Sequence, residues 1–324
     1  MNRLQRRLEA NKGVPLLGVA AYFYDPVFLE ISARLGYQVA WIEMEHGPMS
    51  FGQAVDLVRI AQGLGMLTMI RIADSRRESI LKAAECGPDI IDVPMVNTPE
   101  VVADIVAQAR FGPEGERGFF SVSRALHYGI VNNLTEAQRQ LNDELCLMIQ
   151  IETREAFERA DELCAVDGVD IFVGPADLSA SLGYPGNQGH PAVRQAAEKI
   201  VSTARRHGKC VATAGRAVDF DFWLGLNVDI LFATNDIAAL RHGAEHALRL
   251  ARESLDRTRT VRTVSPVTAG SAMTADSPAR AGSPATAGSP VTAGSAADRA
   301  DRADRSDRRD RTDRTDRTDG RDQA

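Results

Sequence analysis

The 324-residue sequence predicts an α/β fold, a (β/α)8 TIM barrel followed by a disordered low-complexity tail. Three observations carry that prediction. Short apolar runs rich in Val, Ile and Leu alternate eight times with amphipathic stretches of helical period, the pattern of a parallel sheet covered by helices. Together the eight units fill about 250 residues, the usual size of such a barrel. No glycine-rich G-x-G-x-x-G turn follows any run, as an open doubly wound sheet would favour.

The runs read as strands are PLLGVAA (15–21), QVAWIEM (38–44), LTMIRI (67–72), DIIDVPM (89–95), LCLMIQIE (145–152), DIFVGP (170–175), CVATA (210–214) and DILFAT (229–234). Helix candidates lie between them: DPVFLEISARLG, SFGQAVDLVRIAQGLG, TPEVVADIVAQAR, TREAFERADELCA and HPAVRQAAEKIVSTARRHG. Several open on a Ser, Asp or Thr that can cap the first free N–H groups, and several close on Gly. A last amphipathic segment covers 237–255, so the barrel domain is expected over 1–255 and the tail over 256–324.

From about residue 265 the composition turns to Ser, Pro, Thr, Ala and Gly, with SPVTAG occurring at 265–270 and again at 289–294. An Asp-Arg triplet repeat follows. No apolar residue recurs there at a useful period, so the segment cannot bury enough surface to offset its ordering entropy. Alternating Asp neutralises the Arg, which argues against a nucleic-acid arm and for a solvated repeat.

The formal net charge is −6, and the tail's Asp and Arg cancel, so the acidity belongs to the folded part. Nothing there suggests nucleic-acid binding. Four widely spaced cysteines form no C-x-x-C pair, which suits a reducing cytoplasm. The basic N-terminus lacks an apolar h-region and no stretch is long enough to span a membrane, so a cytoplasmic protein without membrane contact is expected.

Polar residues gather at the strand ends. Glu43, Glu45 and His46 end the second strand, Arg71 the third, Gln150 and Glu152 the fifth, and Asp177 follows the sixth. In a parallel barrel these ends share the C-terminal face, where active sites are built. Each residue taken singly has a plainer reading. Glu152 and Asp177 could cap the helices that follow them, and His46 could be a structural histidine at a loop start. Arg71 is harder to dismiss, because a guanidinium in a barrel mouth needs an anionic partner. Two carboxylates from adjacent strands, without a Cys or a zincin-spaced His pair, suit a hard cation with open positions: Mg²⁺, Mn²⁺ or Co²⁺.

The chain also resembles the HpcH/HpaI aldolases, over about residues 16–250. WIEMEHGPM (41–49), MIRIAD (69–74), DVPMVNTPE (92–100), GERG (115–118), QIETREA (150–156) and GPADLSASLGYPG (174–186) carry the resemblance, the last two being highly specific. It implies a class II aldolase that makes or cleaves 4-hydroxy-2-oxo acids from pyruvate and an aldehyde through a metal-bound pyruvate enolate. Glu152 and Asp177 are then the metal ligands and His46 the acid/base group, acting through a water. Arg71 is the cation beside the enolate oxygen, and Glu43 the residue that orients His46. Gly174, Gln150 and the N–H groups of Ala176 and Asp177 are expected at the pyruvate. Relatives are hexamers that exchange their last helix, which implies a homo-oligomer here.

The chemistry suits those residue types. Cleaving a β-hydroxy ketone places negative charge on the C2 oxygen, which a metal and an arginine stabilise, and a neutral imidazole can take the hydroxyl proton. No Schiff-base lysine is needed, and neither Lys82 nor Lys209 ends a strand at the mouth. The sequence departs from the family pattern in three places: Glu43 stands where Asp is usual, Glu85 where many have Asp, and Thr234 and Asn235 precede Asp236 where a Gly is usual. Two other functions compete with the aldolase. A CoA-ester lyase of the citryl or malyl type would need a C-terminal segment suited to CoA, and the tail is low in complexity. A non-catalytic barrel would have lost a ligand or His46.

Overall fold

A computed structural model describes residues 1–264, and the tail expected to be disordered (265–324) lies outside the described residues. Eight parallel strands form a closed barrel in sequence order. They are β1 (Leu16–Ala21), β2 (Val39–Glu43), β3 (Leu67–Arg71), β4 (Ile90–Val93), β5 (Cys146–Ile151), β6 (Asp170–Val173), β7 (Val211–Ala214) and β8 (Ile230–Asn235). Each coincides with one of the eight predicted runs. The helices are α1 (Arg3–Ala10), α2 (Pro26–Arg34), α3 (Phe51–Gly63), α4 (Arg77–Cys86), α5 (Pro99–Ala109) and α6 (Leu134–Glu144), then α7 (Arg154–Glu158), α8 (Ala160–Ala165), α9 (Pro175–Ser181), α10 (Pro191–Arg206), α11 (Phe220–Gly225) and α12 (Asp236–Val264).

Caps fix where several helices begin. Asp25 accepts from the N–H of Val27 and Phe28, Ser50 forms a capping box with Gln53, and Thr98 accepts from Val101. TREAFERADELCA, read as one helix, is two: Arg159 (φ −102°, ψ 16°) turns the chain between α7 and α8. The turn lets both pieces follow the barrel wall, α7 burying Ala156 and α8 burying Ala160, Leu163 and Cys164. The last helix runs on to Val264, past the boundary expected at 255. Arg249 pairs with Glu253 at 3.0 Å just before that boundary, and the Thr258 hydroxyl donates to the Ser254 carbonyl at 2.9 Å across it.

The core divides into two shells by strand parity. Leu16, Val39, Trp41, Leu67, Met69, Ile90, Met148, Phe172, Ile230 and Phe232 point inward and fill the barrel. Val19, Ala40, Ile42, Ile70, Ile91, Ile149 and Val173 point outward against the helices. Trp41 packs edge-on against Phe172 (5.2 Å) and Phe232 (5.0 Å), closing the barrel below its mouth. Truncating Trp41 to Ala would remove that floor, at about 3–5 kcal/mol. The opposite end is plugged by α1, whose Leu4 is wholly buried and whose Arg3 pairs with Asp89 (3.0 Å) and Glu144 (2.7 Å).

Candidate active site

The inward parity that fills the barrel with Val39 and Trp41 places Glu43 inward at the end of β2. By the same alternation Leu67 and Met69 lead to Arg71 on β3, and Cys146 and Met148 lead to Gln150 on β5 and to Glu152 just after it. The ladders bring Glu43 level with Arg71, and Arg71 level with Asp92. A buried polar belt thus lies directly above the aromatic floor.

Arg71 is the centre of that belt. Its Nε donates to Glu43 Oε2 at 2.5 Å, its Nη1 lies 3.1 Å from Glu45 Oε2, and its guanidinium carbon sits 4.8 Å from the centre of the Trp41 ring. The anionic partner that Arg71 requires is therefore a pair of carboxylates. Among the described residues, Nη2 is left unengaged and Arg71 lines the cleft above.

Glu43 lies elsewhere than expected. Its Oε1 accepts from the backbone N–H of Glu45 (2.7 Å) and of His46 (2.9 Å), so it shapes the turn that carries His46 and does not reach the imidazole. Glu45 is the carboxylate near the ring, with Oε2 at 3.6 Å from His46 Nε2. The His46 side chain is 59% exposed and stands at the cleft entrance.

Glu152 is buried and accepts one backbone N–H, from Met95 at 2.8 Å. Burial, reinforced by the charge of Asp177, pushes its carboxyl up to about 7 despite that bond and Arg71. Burial raises Glu45 as well. Gly174 is required beside Glu152: a Cβ at 174 would lie 2.4 Å from Glu152 Oε2. Gly174, Pro175, Ala176 and Asp177 then turn into α9 at the rim.

His46, Arg71, Gln150, Glu152, Gly174, Ala176 and Asp177 line one cleft of about 410 Å³. Of the sequence-predicted site residues only Glu43 lies outside the lining, directly beneath it. The donor set suits a hard cation. The charge of Asp177 adds to the cost of ionising Glu152, both line the same space, and the absent side chain at Gly174 leaves that space open. Among the described residues no group of three or more His, Cys, Asp or Glu is placed to hold a metal.

Two features escaped the sequence reading. Asp92, inward on β4, is wholly buried and accepts a short bond from Gln150 Nε2, and burial raises its carboxyl well above the carboxylate range. Parity could have found it, since Ile90 two positions earlier points inward. Asp236 accepts from the N–H groups of Tyr22 (2.8 Å) and Phe23 (2.9 Å), tying the end of β8 to the end of β1. No local signal marks that contact.

A (β/α)8 barrel whose C-terminal face gathers a carboxylate pair, a clamped arginine and a histidine is an enzyme fold equipped for anionic oxygen chemistry beside a cation. Known proteins agree. The HpcH/HpaI aldolase/citrate lyase family matches residues 23–219. A 2-keto-3-deoxy-L-rhamnonate aldolase of Escherichia coli O9:H4 (strain HS) is 35% identical over 216 residues, covering 66% of this chain and 78% of that relative. The crystal structure of an HpcH/HpaI aldolase from Desulfitobacterium hafniense DCB-2 superposes with TM-score 0.71 at 28% identity, covering 78% of this chain and 98% of that one. A family protein from Burkholderia cenocepacia J2315 gives TM-score 0.71 at 25% identity, over 78% and 100%. The chain belongs to the HpcH/HpaI aldolase/citrate lyase family. It is a class II aldolase, a carbon–carbon lyase, and metal dependence is general in that family. Among the described residues no helix is long and apolar enough to cross a membrane.

Proposed function

We propose that this aldolase cleaves, and in reverse forms, 4-hydroxy-2-oxo acids, with pyruvate and an aldehyde as the two partners, and that Glu152 and Asp177 hold a Mg²⁺, Mn²⁺ or Co²⁺ ion. The observation that carries the reading is the shared cleft. Two carboxylates without a counter-ion, an arginine with a free Nη2 and an exposed histidine line one space. The similar Escherichia coli aldolase is named for a 2-keto-3-deoxy sugar acid, which fits the same substrate class.

A divalent ion held there supplies Lewis-acid polarisation of a neighbouring carbonyl. The rest is the work of side chains. Pyruvate's carboxylate fits the N–H groups of Ala176 and Asp177 at the start of α9, with Gly174 leaving room and Gln150 beside it. His46, through a water, takes the proton of the C4 hydroxyl. The electrons of the C3–C4 bond then move onto the C2 oxygen, where Arg71 Nη2 stabilises the charge as it develops. The aldehyde departs, and a proton returned to C3 gives pyruvate. Glu43 and Glu45 clamp Arg71, so the cation is oriented before substrate arrives.

We also infer that the chain self-associates, as a hexamer. Support comes from α12, where Ile237, Leu240, Leu248 and Leu255 are exposed.

The test is pyruvate release from a panel of 4-hydroxy-2-oxo acids by chelator-treated protein resupplied with each ion. Metal-dependent release is expected, with His46→Ala and Asp177→Ala each losing at least about 100-fold. No release from any compound with any ion, despite measured metal binding, would overturn the reading.

A further inference from the structure

A tyrosine in the cleft has no part in the chemistry above. The inward parity of β1, set by Leu16 and Ala20, continues to Tyr22 just beyond the strand, and Tyr22 lines the cleft together with His46 and Arg71. In a closed barrel of eight strands, β1 and β5 are four apart in either direction, so Tyr22 stands across the mouth from Glu152. The same sector is lined by Ala20 and, at the end of β8, by Thr234 and Asn235, where the sequence departs from the family pattern.

Tyr22 is fixed at its backbone and free at its hydroxyl. Its N–H donates to Asp236 Oδ2 at 2.8 Å. Its carbonyl passes close to the turn that carries His46, since a Cβ at Gly47 would lie 2.6 Å from it and 2.6 Å from the carbonyl of Glu43. The end of β1 and the His46 turn are thus set against each other. The ring is partly buried and packs against the inner core. Among the described residues its hydroxyl makes no hydrogen bond. Burial, partly offset by the charge of Arg71 and reinforced by Glu43, Asp236 and Glu45, holds the phenol above its usual range. The group therefore keeps its proton and offers a donor.

Cleavage takes the proton from the C4 hydroxyl before the C3–C4 bond breaks, and addition builds the same charge on an aldehyde oxygen. Arg71 and the ion attend the C2 oxygen, so the charge on the C4 oxygen needs a donor of its own. We propose that Tyr22 is a further catalytic residue, whose hydroxyl donates a hydrogen bond to the C4 oxygen beside His46 and stabilises the charge that develops there. The proton of the C4 hydroxyl still leaves to His46 through the water, and the phenol keeps its own. In the direction of synthesis the same bond polarises the aldehyde carbonyl. A neutral phenol suits this role, because a hydrogen bond to an oxyanion strengthens as the charge grows. This inference rests on the aldolase reading above.

Tyr22→Phe keeps the ring and removes only the hydroxyl. Two rates, measured on the same protein with Mn²⁺ or Mg²⁺, keep the inference and the reading apart. Exchange of the C3 protons of pyruvate for deuterium, followed by NMR without aldehyde, makes and breaks only C3–H bonds and involves no C4 oxygen. Addition of pyruvate to a panel of short aldehydes, glycolaldehyde and acetaldehyde among them, forms the C4 oxyanion. In Tyr22→Phe the ratio of addition kcat/KM to exchange rate is expected to fall by about 10- to 100-fold. A ratio equal to that of the wild type, whether both rates hold or both fall together, would overturn the inference and leave the aldolase standing. The hydroxyl would then be idle, or would act through Arg71 on the C2 oxygen. Wild-type exchange without addition to any aldehyde would overturn the inference and the aldolase reading together. Absence of exchange with either ion would remove that reading, and the inference with it.

Discussion

Burial of Glu152, with the charge of Asp177 added, outweighs the single backbone N–H it accepts and the charge of Arg71, which is why its carboxyl rises to about 7. In the metal-free protein the folded state therefore keeps a proton that the unfolded chain releases near pH 4.5. Stability contributed by the protonated form is present below that pH and is lost as pH rises toward 7, by up to about 3 kcal/mol. Urea unfolding of chelated wild type and of Glu152→Gln from pH 5 to 8 checks this. The wild type should lose stability relative to Glu152→Gln as pH rises, and a saturating divalent ion should abolish the loss. Parallel pH profiles would mean that Glu152 is an ordinary carboxylate. At this scale the sequence was informative where chemistry repeats along one face: Arg71, Gln150, Glu152 and Asp177 all reach the cleft. It misled where direction matters. Glu43 has the right type and position to hold an imidazole, yet it grips Arg71 and two backbone N–H groups, because a buried cation is the stronger claim on a buried carboxylate.

The turns that leave the strands turn a packed barrel into a site, and their glycines mark where backbone must pass close to something else. Gly174, between β6 and α9, is such a place, since a Cβ would overlap Glu152 Oε2. Gly174→Ala should push the carboxylate aside and weaken Mn²⁺ binding by about 10- to 100-fold, with little change in the melting of metal-free protein. A binding titration followed by electron paramagnetic resonance measures it. Unchanged affinity would remove Glu152 from the metal site. All eight strands were legible because each is mainly buried and reads as a short, largely apolar run. The break at Arg159 was not, because its cause is the curvature of the wall against which α7 and α8 pack.

Across the whole molecule, the barrel is closed at its lower end by α1 and tied at the mouth by Asp236, so residues far apart in the chain complete one core. The segment 265–324 has neither apolar periodicity nor net charge from its Asp-Arg repeat. Ending the chain after Val264 should leave unfolding free energy within about 1 kcal/mol and pyruvate release unchanged, as denaturant melts and the lyase assay would show. A larger loss would mean that the tail contributes to the fold. The sequence by itself determined the barrel, the family and the face that carries the chemistry, because strand periodicity and the residue types at strand ends are local properties. Only the tertiary structure decided which carboxylates hold Arg71 and that Asp92 is buried against Gln150. Those are contacts between neighbouring strands, 28 and 58 residues apart in sequence, and the ladder register sets them.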